Sequence, residues 1–134
     1  MIRCPLEADE QKHLIAWAAY MNRPDGKGKI GTMLFAIPNG GSRSRRRGVS
    51  LEALELKRQG VKPGVPDLFL AIAAGPYHGL FIEMKRAVKS ASTVSAEQKA
   101  WKEALCAEGY ASVIAYGADA AKEAIKTYLS GGEL

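Results

Sequence analysis

Two cysteines in 134 residues, Cys4 and Cys106, lie far apart and share no metal-ligand spacing. They read as reduced thiols in a cytoplasmic setting, with a single bridge between them as the alternative. No apolar run approaches the ~20 residues that cross a bilayer, so no membrane partner is expected. The opening residues, MIRCPLEADE, hold no long apolar segment, and a secretory leader is not expected. There is no internal repeat and no distinct oligomerisation motif. What remains is a chain with 47% apolar and 25% charged residues. That is the balance of a single globular domain, residues 1–134, with a core that needs no disulfide.

The net charge of +5 is unevenly placed. Between Arg23 and Lys62 there are ten Lys/Arg against three Asp/Glu; elsewhere nine face eleven. The basic excess is therefore one region. Its densest part is SRSRRRG, carrying Arg43, Arg45, Arg46 and Arg47 with no apolar residue. Such a segment, together with Lys62, suits contacts to a phosphate backbone. The bland alternative is a solvated loop that aids solubility.

Apolar spacing predicts a helix over Leu6–Met21, with Leu6, Glu10, Leu14, Trp17, Ala18 and Met21 on one stripe. Glu10 is a carboxylate on that apolar side; Glu7 lies one turn earlier. Both also suit the positive end of a helix. Asn22–Gly31 reads as a turn, Thr32–Ile37 as a short strand and Pro38–Gly41 as its stop. Ser50–Arg58 is a short helix in which Leu51, Leu54 and Leu56 can pack inward. Val61–Pro66 is an extended connector, with Gly64 permitting a sharp turn and Pro66 holding Val65 extended.

Leu68–Ala73 and Gly79–Lys85 are two strands of an antiparallel hairpin. Ser95 caps a helix to Glu108, and Ser95-Ala96-Glu97-Gln98 fits a capping box. Tyr110–Tyr116 is a strand and Ala118–Leu129 a closing helix. The order αβαββαβα implies an α/β domain whose last strand runs parallel to a neighbour.

Charge sits where buried strands do not ordinarily carry it. Asp67 precedes the first hairpin strand, and Glu83 and Lys85 end the second, projecting to one face. Two carboxylates suit Mg²⁺ or Mn²⁺, and an ammonium beside them suits an attacking water or a phosphate oxygen. The alternative is a surface ion pair between Glu83 and Lys85.

Pro66-Asp67 followed by Glu83-Met84-Lys85 resembles the PD-(D/E)xK nuclease signature. With Gly64-Val65-Pro66-Asp67-Leu68, Ile82-Glu83-Met84-Lys85 and then Ser95-Ala96-Glu97-Gln98, it is similar to the VRR-NUC domain. The resemblance implies a restriction-endonuclease-like core with a mixed sheet of about four strands. It implies a metal-dependent DNA endonuclease using Mg²⁺ or Mn²⁺. Asp67 and Glu83 would bind the metal, the Met84 backbone carbonyl would be a further ligand, and Lys85 would position water. Gln98 would flank the site. A first-helix acid would match Glu10, with Glu7 as the alternative. Lone phage or bacterial domains of this kind include some that resemble Holliday-junction resolvases of repair and recombination and act as homodimers. Branched DNA is accordingly the expected partner. A flap- or end-directed nuclease, or a non-catalytic DNA-binding module, are the alternatives.

Overall fold

The computed structural model describes residues 4–38 and 51–134. Alternation in the hairpin sorts its residues onto two faces. Leu68, Leu70, Leu80, Ile82 and Met84 are wholly buried, and each such Leu or Ile contributes about 1.5–3 kcal/mol over an exposed one. Among the described residues four strands result: β1 (Leu34–Ala36), β2 (Leu68–Leu70), β3 (Leu80–Lys85) and β4 (Ala111–Tyr116). They lie in sequence order across one sheet. The first two pairings are antiparallel and β3–β4 is parallel.

Four α-helices among the described residues flank this sheet: α1 (Glu7–Tyr20), α2 (Leu51–Arg58), α3 (Ala96–Ala107) and α4 (Ala118–Leu129). The element order is the expected one. α4 buries Ala118, Ala121, Ile125 and Tyr128, a stripe at helical spacing. The Tyr128 hydroxyl donates to the Ile72 carbonyl at 2.6 Å, so its buried oxygen is satisfied. Leu14 and Ala18 of α1 join the same core.

Three expectations are corrected. Thr32 and Met33 belong to a 3-10 turn, Ile30–Met33, and β1 is only three residues long. Leu6 is 59% exposed, because its backbone is extended and the helix begins after it. α2 has no fully buried residue: Leu51 is 85% exposed and Leu54 is also exposed, while Leu56 is half-buried.

The connector before β2 is fixed by one glycine. Gly64 has φ +84°, and a Cβ there would meet Cβ of Glu97 at 2.5 Å. Only glycine allows the chain this close to the start of α3. The indole of Trp101 adds a hydrogen bond to the Pro63 carbonyl at 3.2 Å. Asp67 and the first turn of α3 are thereby brought to the same end of the sheet.

Candidate metal centre

The site forms where a ladder stops. β2 pairs with β3 through Leu68–Ile82, Phe69–Phe81 and Leu70–Leu80. One step further, Asp67 stands opposite Glu83. The Met84 N–H points to the β2 edge, beyond the last strand partner, and donates instead to Asp67 Oδ2 at 2.7 Å. In a strand, one residue's N–H and C=O face the same edge. The Met84 carbonyl is therefore turned toward the Asp67 side. On the other edge, the Lys85 carbonyl accepts from Gly117 N–H at 2.9 Å.

Glu83 and Lys85 are only 4% and 5% exposed, although both are ionisable. Gln98 explains how they are held. Its Nε2 donates to Glu83 Oε2 at 3.1 Å, and its Oε1 accepts from Lys85 Nζ at 3.0 Å. The same Oε1 accepts from Ser95 N–H, while Ser95 Oγ accepts from Gln98 N–H. The capping box and the site contact coexist in one side chain. Lys85 Nζ also lies 3.8 Å from Glu83 Oε2.

Glu7, Asp67 and Glu83 each place one carboxylate oxygen within 4.8 Å of the others. Burial and the nearby Asp67 charge push the Glu83 carboxyl up to about 9. Asp67 is raised mainly by burial, against the opposing pull of the Met84 N–H. Glu7 is raised by burial and then by Asp67. Like charges gathered out of water disfavour ionisation of one another. Among the described residues no hydrogen-bond donor reaches the buried Glu83 Oε1, and the Glu83 carboxyl instead faces that of Asp67. An unpartnered buried acceptor among three carboxylates fits a hard divalent cation, which takes oxygen ligands and offsets their repulsion.

Glu10, the favoured first-helix residue in the sequence, is not in this group. Glu7, its alternative, is. At 100° per residue, Glu7 falls midway between the buried Leu14 and Ala18, whereas Glu10 lies about 60° round the helix. The Glu10 carboxylate sits over Gly117, where α4 begins, a favourable place for negative charge. Asp67, Glu83, Met84, Lys85 and Gln98 all meet at the site. Lys62 is exposed in the connector leading to Asp67. Arg43, Arg45, Arg46 and Arg47 lie outside the described residues. Arg86, which no sequence pattern singled out, holds the segment before α1 through two backbone carbonyls.

Among the described residues no helix is long and apolar enough to cross a membrane. No curated protein matches the chain. A solved structure described as a VRR_NUC domain protein is similar over 98% of this chain and 93% of its own, with 31% identity and a TM-score of 0.76. The VRR-NUC domain family model matches residues 41–119, more than half of the sequence. Family model and structural likeness agree: the chain belongs to the VRR-NUC family and is a nuclease-type, DNA-acting module.

Proposed function

We propose that this protein is a metal-dependent endodeoxyribonuclease that hydrolyses phosphodiester bonds in branched DNA. The observation that carries the catalytic part is the cluster of the half-buried Glu7 and Asp67 with the buried Glu83, and Lys85 beside it. Glu7, Asp67, Glu83 and the Met84 carbonyl would hold Mg²⁺ or Mn²⁺. Bound there, the ion would supply charge stabilisation at the phosphate and lower the pKa of water.

The protein's own groups do the rest. Asp67 is oriented by the Met84 N–H, so its remaining oxygen has a fixed direction. The Lys85 ammonium, nearly buried and anchored on Gln98, offers its other protons to an attacking water or a phosphate oxygen. Gln98 sets the distance between Lys85 and Glu83 by bonding both. A non-catalytic DNA-binding role would not require all three of Asp67, Glu83 and Lys85.

The preference for branched DNA rests on the concentrated basic segment, Arg43–Arg47 and Lys62, and on two copies acting together. A two-fold homodimer would present two sites to the two-fold backbone of a four-way junction. Cytoplasmic placement follows from this reading. The test is cleavage of four-way junction, flap, single-stranded and linear duplex DNA, with Mg²⁺, with Mn²⁺ and with chelator. Symmetric, metal-dependent nicking of the junction is expected. Equal cutting of linear duplex would remove the junction claim, and selective cutting of flaps or ends would favour the flap- or end-directed alternative. Cutting in chelator would remove the metal claim.

A further inference from the structure

We propose that Arg86 is a positioning residue for the metal centre, clamping the segment before α1 so that Glu7 is held against Asp67 and Glu83. The inference rests on the reading above in which Glu7 is a ligand. Arg86 follows Lys85 directly at the end of β3. Its Nε donates to the Pro5 carbonyl at 3.1 Å and its Nη2 to the Cys4 carbonyl at 2.8 Å. One planar fork bonded to two consecutive carbonyls fixes direction as well as position.

Among the described residues the helix start has no side-chain cap of its own. Leu6, the N-cap residue, makes no side-chain cap and is exposed. Its carbonyl accepts from Asp9 N–H and Glu10 N–H at 3.0 and 3.1 Å, so the clamped segment runs straight into the first helical turn. Only Leu6 separates the clamped Pro5 from Glu7. Without a tether, a helix end frays, and the Asp67 charge opposes an ionised Glu7. Arg86 refers Glu7 to the strand that carries Glu83, three residues before Arg86. The clamp and the co-ligand therefore move as one piece.

The experiment is Mn²⁺ titration by calorimetry on the full chain without DNA. Wild type is compared with Glu7→Gln, Arg86→Ala, Arg86→Lys and the double variant Glu7→Gln/Arg86→Ala. Outer contacts that orient a ligand are worth about 10–100-fold in metal affinity. Arg86→Ala and Arg86→Lys should each weaken Mn²⁺ binding by about tenfold or more. Lysine keeps the charge but not the fork. In the Glu7→Gln background, Arg86→Ala should change the affinity by less than about twofold, because the route through Glu7 is already cut.

Unchanged affinity in Arg86→Ala overturns the proposal. So does full affinity in Arg86→Lys, or an equal loss in both backgrounds, which is what general unfolding or a charge effect would give. If Glu7→Gln weakens binding and Arg86→Ala does not, only the clamp falls. If Glu7→Gln leaves Mn²⁺ affinity intact, Glu7 is not a ligand and both readings fall there.

Discussion

The two ends of β3 are equally buried and chemically opposite. Leu80 and Ile82 are fully enclosed at one end, while Glu83 and Lys85 are almost as enclosed at the other. The first pair loses apolar surface to water and gains stability from it. The second pair loses hydration and gains only partial compensation from Gln98 and from each other. Burial therefore measures different things along one strand. It marks the core where β2 still pairs with β3. It marks a site where β2 has ended and Asp67 takes the Met84 N–H in place of a strand.

The largest effects should separate these ends. Asp67→Asn and Lys85→Ala should each lower DNA cleavage by at least about a hundredfold while leaving the thermal midpoint close to wild type. Loss of Lys85 alone is worth about 10²–10³-fold in turnover if it stabilises developing charge. Ile82→Ala should do the reverse, destabilising the fold by about 2–5 kcal/mol, with cleavage per folded molecule retained. Denaturation and single-turnover cleavage on the same preparations check both. An Asp67→Asn variant that cuts normally would break the comparison at the site. An Ile82→Ala variant as stable as wild type would break it in the core.

Gln98 sits on the boundary, since one amide serves the helix start and the site. Gln98→Ala should lower cleavage by about 10–100-fold and also cost about 1 kcal/mol of stability, as loss of a cap does. Gln98→Glu would sharpen the case. It keeps an acceptor for Ser95 N–H and Lys85 but places another carboxylate against Glu83, removing the Nε2 donation. Its helix should persist in far-UV dichroism while Mn²⁺ affinity changes.

The sequence made the charged end of β3 visible because the pleat has period two. Glu83 and Lys85 break an apolar run on the same face, and Pro66-Asp67 precedes the other strand. The capping box was equally legible, since its signal is local. Glu10 was favoured over Glu7 because it falls on the apolar stripe, whereas which acid faces the site depends on where the helix begins and how it lies against the sheet. Leu6 looked like an inward residue for the same reason. The exposure of Leu51 and Leu54 was hidden too, because an apolar pattern shows that a helix can bury a face, not that a partner lies beside it. Arg86 left no pattern at all: its partners are backbone carbonyls, which every residue has.

pH gives a smaller and more graded test. In the metal-free protein Glu83 is pushed up from 4.5 to about 9 by burial and by Asp67. The folded state then binds more protons than the unfolded state between those values. Stability must fall as pH rises through that window. The metal-free midpoint of thermal unfolding should therefore decline between about pH 5 and pH 9, and Glu83→Gln should flatten the decline. A divalent cation competes with the same protons, so Mn²⁺ should bind more tightly as pH rises and should restore the midpoint at the alkaline end. Thermal midpoints measured across this pH range at constant Mn²⁺ separate the two ends, since the core end of β3 has nothing to titrate. If the metal-free midpoint instead rose steadily to pH 9, the carboxylates would be ionised and solvated in the fold. The charged end of β3 would then be an ordinary ion pair rather than a metal centre.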